Sequence, residues 1–383
     1  MKIAMFADSY RPVVDGAVVA MENVCTGLER RGHEVVILAP DTSNKENTGR
    51  RVHYLPSAAF RQYPGYRVVI APSNFMELVR NERVDIIHSH GLASMAILSL
   101  TAARALDIPH LLTFHTMAHE GIQHYSPIRI REDIISQMVW IYLRNLLKRP
   151  EVVIAPSRPV KDELLANRVR MKACEVVPTG IDTARFSPEK YDKKFLEKYG
   201  LGGGKRVLLH VGRLSREKRL DIVLKAIAEL APKEPDLHLM VVGSGPAADH
   251  FKETASKLGI SSRVVFTGFL KDEDLPVAFA SCEALVIAST FETQGLVVLE
   301  ALASGTPVVG VRYRAIPEFI QEGKNGCLFD QDDCASAIQR CLERSESMMM
   351  SAVSSGREYS IDACTARLEK AYDLAVRVRD DNR

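Results

Sequence analysis

Residues 287–311 read IASTFETQGLVVLEALASGTPVVGV. An apolar run that opens at Ala284 ends at Ser289, a turn occupies Phe291 to Gly295, helical spacing follows from Leu296 to Ser304, and TPVVGV starts a second run at Thr306. Short apolar runs joined by a helix lie parallel in one sheet, because the helix carries the chain back to the end where the first run began. The same rhythm extends outward from this stretch. Upstream stand RVLLHVG at Arg206, LHLMVVG at Leu237 and VVFTGFL at Val264, and before them KIAMFAD at Lys2, EVVILAP at Glu34, DIIHSH at Asp85, HLLTFH at His110 and EVVIAPS at Glu151. Amphipathic stretches of helical length, such as Ala17–Arg31 and Asp133–Lys148, separate many of the runs. The pattern predicts an α/β chain with two parallel sheets covered by helices.

Length and punctuation divide the chain. Its 383 residues are more than twice the ~150 of an ordinary domain. The segment VVPTGIDTARFSPEKY, interrupted by Pro178, Gly180 and Pro188, reads as a linker. It puts one Rossmann-like domain at residues 1–180 and a second at 181–360, facing each other across a cleft. Residues 361–383, helical from Ile361 to Val378, are expected to pack back toward the first.

Composition excludes several classes. With 46% hydrophobic and 26% charged residues the chain is globular rather than disordered. Fifty Lys and Arg against 48 Asp and Glu leave a net charge of +2, too balanced for a protein that wraps nucleic acid, so any anion is bound locally. The longest apolar stretches, such as Leu92–Ala103, fall short of the ~20 residues that cross a bilayer, and the first strand begins without a signal-peptide layout, which predicts a cytosolic protein. The cysteines at 25, 174, 282, 327, 334, 341 and 364 are odd in number and lack a CxxC pair, so neither a disulfide framework nor a zinc knuckle is expected.

Candidate chemistry lies in the strand-to-helix turns. Gly16, at the start of the first helix, lets a phosphate approach backbone N–H groups; the alternative is that Asp15 caps the helix and Gly16 only turns the chain. Arg213, Arg216, Lys218 and Arg219 follow a strand end within seven residues, where Arg213 and Lys218 are suited to a diphosphate without a metal. Glu292 precedes a helix and Glu300 lies within it, up to ~12 Å away at helical rise, a span that fits a nucleotide sugar from sugar to ribose. Glutamate is also common in first helical turns. His115, at a strand end, is placed to bond a polar ligand.

Other motifs carry less. GSGPAADHF from Gly243 matches the dinucleotide pattern but lacks the following strand-ending acid, and is read as a tight turn. Asp272 and Asp274 form a D-x-D that helix capping accounts for, and His119 and His124 are one residue too far apart for a zinc HExxH. No metal site is assigned. Between Ile128 and Arg149, the apolar positions Ile134, Ile135, Met138, Ile141, Tyr142 and Leu146, with Trp140 and the basic Arg144, Lys148 and Arg149, read either as a membrane-surface helix or as one packed on its own sheet.

At FETQGLVVLEALASGTPVV the chain resembles the retaining glycosyltransferases of family four, whose E-x7-E motif is matched by Glu292 and Glu300. FADSYRPVVDGAV, DIIHSHG, TFHT, VVPTGID, GRLSREK and GSGP fall in the family's order, so the resemblance spans nearly the whole chain. It implies a GT-B fold, an acceptor-side N-terminal domain at 1–180, a nucleotide-sugar donor held mostly by the C-terminal domain at 181–360, and no metal or other cofactor. Carried over by residue, Arg213 and Lys218 hold the diphosphate, and Glu292 with the amides of Thr293, Gln294, Gly295 and Leu296 holds sugar and phosphates. Glu300 takes the ribose, Gly16 approaches phosphate from the N-terminal domain, and His115 contacts the sugar near its C6 hydroxyl. Asp15 stands where the family often has a second glycine, a form similar to the glycolipid-making branch, and Gln294 points the same way. The expected reaction is transfer of a hexose from UDP-glucose or GDP-mannose to a lipid hydroxyl, on the inner face of the membrane. Transfer to a soluble sugar or polysaccharide is the nearest alternative; an NAD-dependent oxidoreductase and a non-catalytic sugar-nucleotide binder are more distant ones.

Overall fold

The computed structural model describes residues 1–13, 15–42, 44–59, 67–115, 132–330 and 333–381. The chain forms two compact units, residues 1–180 with 361–383 and residues 181–360.

In the first unit the strands are β1 (Lys2–Phe6), β2 (Glu34–Pro40), β3 (Arg51–Leu55), β4 (Ser57–Ala59), β5 (Arg67–Val69), β6 (Ile86–Ser89), β7 (His110–Thr113), β8 (Val152–Ala155) and β9 (Cys174–Val176). The helices are α1 (Gly16–Arg30), α2 (Phe75–Glu82), α3 (Ser94–Ala105), α4 (Glu132–Leu147) and α5 (Arg158–Ala166). Seven strands make a parallel sheet in the order β3-β2-β1-β6-β7-β8-β9, and β4 pairs antiparallel with β5. The two-residue period of a strand sends alternate side chains to opposite faces. Ile3, Met5, Ile37, Leu111 and Ile154 pack on one face with Met21 and Leu28 of α1, while Ala4, Phe6, Val36, Leu38 and Ile87 meet Phe75 of α2 and Met95 of α3 on the other.

The second unit holds β10 (Arg206–Val211), β11 (Leu237–Val242), β12 (Val264–Gly268), β13 (Ala284–Ile287), β14 (Val308–Val311) and β15 (Gly326–Phe329). These form a parallel sheet ordered β12-β11-β10-β13-β14-β15. Around it run α6 (Lys193–Glu197), α7 (Leu220–Leu230), α8 (Ala248–Lys257), α9 (Asp274–Ser281), α10 (Leu296–Ala303), α11 (Ile316–Phe319), α12 (Cys334–Leu342) and α13 (Ser345–Arg357). Strands buried on both faces read as unbroken apolar runs, which is why LHLMVV and ALVI were legible.

The last helix, α14 (Ile361–Asp380), packs with the first unit: Leu368, Ala371, Tyr372 and Ala375 join the core formed by β1, β2, β7, β8 and α1. Gly27 of α1 permits the approach, since a Cβ there would lie 1.9 Å from Thr365 Oγ1. Glu369 completes the seam by accepting from Arg31 at 2.7 Å and contacting His33 at 2.8 Å. Among the described residues no helix is long and apolar enough to cross a membrane.

Both sheets are doubly wound, and each has one place where strand order reverses. It falls between β1 and β6 in the first unit and between β10 and β13 in the second. Loops at the carboxyl ends of strands flanking such a point diverge to opposite faces and leave a crevice where ligands bind.

Candidate functional site

The loops leaving β10 and β13 carry most of the residues singled out above. After β10, a 3₁₀ turn at Arg216–Lys218 ends in Arg219 with left-handed φ of 51°, which turns the chain into α7. Arg213 is exposed at the head of this loop, and Lys218 is half buried. After β13 the chain passes Ser289 and Glu292, and Gly295 starts α10 with φ of 81°, a conformation strained for any residue bearing a Cβ. A Cβ there would also stand 3.0 Å from Ile316 Cδ1.

The two loops meet where the Lys218 ammonium donates to Glu292 Oε1 at 2.5 Å. Burial pushes the Glu292 carboxyl up, but the adjoining Lys218 charge and hydrogen bonds from Lys218 and the Ser289 hydroxyl outweigh it and hold it below the usual carboxylate range. Lys218 and Glu292 are thus both charged, poised together at the reversal point of the sheet. Glu300, on α10, is 8% exposed and has the opposite setting: burial raises its pKa to about 7, with only Arg185 opposing. The Arg185 guanidinium donates to the backbone carbonyl of Asp272, the exposed first acid of the D-x-D, at 3.0 Å.

His210 on β10 was not singled out in the sequence. It is buried, its Nδ1 lies 3.1 Å from the Val286 carbonyl, and burial lowers its pKa to about 4, so it is uncharged beside the Lys218–Glu292 pair. Its only sequence signal is a histidine inside an otherwise apolar strand. Ser289 was missed as well, because a serine at a strand end is unremarkable until its hydroxyl is seen on Glu292.

Gly243 and Gly245 of the dinucleotide-like turn support the β10 loop. A Cβ on Gly243 would lie 2.0 Å from the Gly212 carbonyl oxygen, and one on Gly245 would lie 2.4 Å from that of Leu214. Backbone bonds from Leu214 N to Ser244 O at 3.0 Å and from Ala247 N to Leu214 O at 2.8 Å lock the two loops together. Close backbone packing therefore accounts for these glycines, in keeping with the tight-turn reading.

In the first unit, Asp15 caps α1: its Oδ1 accepts from Ala17 N at 3.0 Å and Val18 N at 2.9 Å. Two of the amides at this helix start are therefore engaged by the Asp15 side chain. Gly16 is exposed, with open space where a Cβ would stand. His115 follows β7 and its Nε2 lies 2.8 Å from Nδ1 of His90, which follows β6. Burial keeps both imidazoles neutral, lowering the pKa of His115 to about 4 and holding that of His90 well below its ordinary value. Asp8, at the end of β1, accepts from Ala93 N at 2.7 Å and Met95 N at 3.0 Å and so caps α3 from a distance.

Helix α4 divides the apolar stripe of the sequence into two faces. Ile135, Val139, Trp140, Leu143, Leu146 and Leu147 are buried, whereas Ile134, Met138, Ile141 and Tyr142 are exposed by 43, 64, 54 and 39%. Lys148 and Arg149 are exposed at its carboxyl end. Residues 128–131 of that stretch lie outside the described residues, as do His119 and His124. Among the described residues no three His, Cys, Asp or Glu side chains gather as a metal-binding group.

Residues 192–357 match the family model described as glycosyl transferases group 1, and residues 14–185 match glycosyltransferase family 4. The alpha-monoglucosyldiacylglycerol synthase of Streptococcus pneumoniae is 33% identical over 354 residues, covering 89% of this chain and 78% of that protein. A GDP-mannose-dependent alpha-mannosyltransferase of Mycolicibacterium smegmatis is 30% identical over 346 residues, covering 88% of this chain and 86% of its own. Anabaena Alr3699/HepE, solved in complex with UDP, superposes with a TM-score of 0.77 at 21% identity, covering 97% of this chain and all of that one, and shares the fold. The two doubly wound units are those of the GT-B class, and the chain belongs to glycosyltransferase family 4.

Proposed function

We propose that this glycosyltransferase moves a hexose, with retention of configuration and without a metal, from UDP-glucose or GDP-mannose to the hydroxyl of a membrane lipid. The observation that carries the reading is the Lys218–Glu292 contact at the sheet reversal. Glycosyl transfer builds positive charge on the sugar ring and negative charge on the departing diphosphate, so a cation and a carboxylate preset side by side match the charges that develop.

Arg213 and Lys218 receive the diphosphate. Lys218 then exchanges its contact with Glu292 for phosphate oxygen, leaving the carboxylate to accept hydroxyl hydrogen bonds from the sugar. The amides of Thr293, Gln294, Gly295 and Leu296, at the positive end of α10, face the phosphates and sugar. Glu300 binds the ribose in its ionised form. Gly16 admits phosphate from the N-terminal side, where the lack of a side chain leaves room, and His115, neutral and hydrogen-bonded to His90, contacts the sugar near C6.

Three features support a lipid acceptor. The S. pneumoniae relative is named for a glucosyldiacylglycerol, α4 exposes a row of apolar side chains, and Lys148 and Arg149 at its end suit an anionic cytoplasmic leaflet. The protein works at the inner face of the membrane as a peripheral enzyme, held by the stretch Ile128–Arg149.

The test is incubation of purified protein with labelled UDP-glucose, GDP-mannose and related donors together with total membrane lipid. Label extractable into organic solvent, in α-linkage by the anomeric proton coupling, is expected from one donor. Label appearing only on water-soluble sugar, or in β-linkage, overturns the acceptor or the retention assignment respectively.

A further inference from the structure

Three imidazoles stand in a row at the carboxyl ends of β6 and β7. His88 is engaged at both ring nitrogens, with Tyr372 Oη of α14 2.9 Å from Nδ1 and Thr113 Oγ1 2.7 Å from Nε2. His90, 6% exposed, packs against it with ring centres 4.2 Å apart. His90 Nδ1 in turn lies 2.8 Å from His115 Nε2, the two ring centres are 5.1 Å apart and the planes differ by 20°. That separation is the N···N distance plus the two ring radii, so the contact runs along the line joining the ring centres, the direction a good N–H···N bond takes.

We infer that His90 is a positioning residue: it accepts the Nε2 proton of His115 and so holds that ring with an unprotonated Nδ1, the acceptor for the C6 hydroxyl of the donor hexose. The inference rests on the transferase reading and deepens it by naming what sets the proton at the sugar contact, and hence what selects a sugar with a hydroxyl at C6.

The proton's place follows from the chemistry of the pair. Burial holds both rings neutral. In a neutral ring one nitrogen donates and the other accepts, so the bridge has two arrangements. Either His115 Nε2–H donates to His90 Nδ1, or His90 Nδ1–H donates to His115 Nε2. The Nε2–H form is the intrinsically preferred one of a neutral histidine, and the bond at one nitrogen fixes the state of the other. Only the first arrangement gives both rings that form. It turns His90 Nε2 into a buried donor, and this nitrogen has no hydrogen-bond partner among the described residues. His90 lines, with Thr113 and Thr179, a cavity of about 20 Å³, more than the ~10–15 Å³ that one water needs, and a water there accepts from the ring. His88 cannot take the same part, because both its nitrogens are committed; it is the floor that keeps His90 from turning Nδ1 away from His115. A buried acceptor fixed in this way discriminates strongly, since a sugar lacking the hydroxyl leaves it unpaired.

The test uses the full chain with isotopically labelled histidine ring nitrogens. At neutral pH the His115 signals, assigned by their loss in His115→Asn, are expected to show Nε2 protonated and Nδ1 bare. In His90→Leu, where an Nε2–H would face a methyl group, the Nδ1–H form should grow. Activity is read as the ratio of kcat/KM for whichever of UDP-glucose and GDP-mannose is turned over to that for its 6-deoxy analogue. This ratio should be roughly tenfold or more in wild type and fall about fivefold or more in His90→Leu. It should survive in His90→Asn, whose Oδ1 stands where Nδ1 stood. A merely structural role of His90 lowers both donors alike and leaves the ratio unmoved. Protonation of His115 on Nδ1 in wild type, or an unchanged ratio in a folded His90→Leu protein, overturns the proposal. If that variant does not fold, the wild-type ring signals and the His90→Asn ratio decide. Thermal protection by UDP and GDP is measured in parallel. Protection together with an Nδ1–H form of His115 removes this inference alone, and absence of protection by both removes the donor reading whatever the ring signals show.

Discussion

Lys218 Nζ and Glu292 Oε1, separated by 74 residues of sequence, stand 2.5 Å apart. The contact joins the loops of two neighbouring strands, β10 and β13, and keeps a charged carboxylate where burial alone would protonate it. In the proposed reaction both partners are handed to the donor, so the free protein satisfies each charge with the other until substrate arrives.

Replacing one partner separates fold from chemistry. Glu292→Gln retains hydrogen-bonding capacity and should melt within a few degrees of wild type while transfer falls by a factor on the order of 100 or more. Lys218→Ala strands the carboxylate; with the two side chains 23 and 17% exposed, the loss should be roughly 2 kcal/mol, below the ~3–5 typical of a fully buried pair. Near wild-type turnover of the glutamine variant in a donor-release assay contradicts the role given to Glu292.

Glu300 makes a prediction with the opposite dependence on pH. Its pKa of about 7 when folded, against about 4.5 when exposed, means that the native state holds a proton which the unfolded chain has released between those values. This group's contribution therefore falls as pH rises from about 4.5 to 7 and levels off beyond, for a total of roughly 3 kcal/mol. Glu300→Gln should raise the melting temperature at pH 8, leave it unchanged at pH 4.5, and lower nucleotide affinity. The same change in stability at both pH values rules out this titration.

Histidine burial concentrates in the other unit. His88 and His110 are held neutral with pKa values of about 3, His115 at about 4, and His90 well below its ordinary value. The unfolded chain binds protons at these sites below about pH 6.5 and the native unit does not, so their stabilisation is complete above 6.5 and is lost as pH falls toward 4. Hydrogen exchange should show peptides of residues 1–115 opening first when pH is lowered from 7 to 5, because in the second unit the gain at Glu300 offsets the loss at the buried His210. Simultaneous opening of both units argues against the assignment.

Membrane attachment is expected to be electrostatic at first and apolar thereafter. Flotation with vesicles rich in anionic lipid should recover the protein at low salt, and Lys148→Ala with Arg149→Ala should weaken binding by about 1 kcal/mol per charge. Met138→Glu, on the exposed face of α4, should abolish recovery at any salt concentration tested. Equal recovery of all variants shows that α4 is not the contact.

Gly245→Ala tests the loop that carries Arg213. A methyl group 2.4 Å from the Leu214 carbonyl must push the β10 and β11 loops apart. Nucleoside diphosphate affinity should drop tenfold or more although residue 245 has no assigned contact with ligand. An unaltered affinity would show that the turn does not support the site.

Much of this was written in local pattern. Runs such as VVILAP and LHLMVV are legible because both faces of the strand are buried, and Glu292 and Glu300 were recognisable because one turn and one helix fix their separation. The edge strands β3, β9 and β15 escaped notice: RVHYL and CEV are partly exposed and mixed in polarity, and GCLF is short and opens on glycine. Helix α4 was ambiguous for a different reason. Its apolar residues occupy two faces, and only packing shows that Trp140 and Leu143 face inward while Met138 and Ile141 face out.

The sequence by itself determined the alternation of strand and helix, hence the two doubly wound units, and placed the candidate acids and bases at strand ends. Those properties are local, set by periodicity over a few residues. Tertiary structure alone decided which charges meet and which stay neutral. Lys218 reaches Glu292, His90 reaches His115, and Glu300 and His210 are shut away from water, because each of these outcomes depends on strands distant in sequence lying side by side and on the solvent their packing excludes.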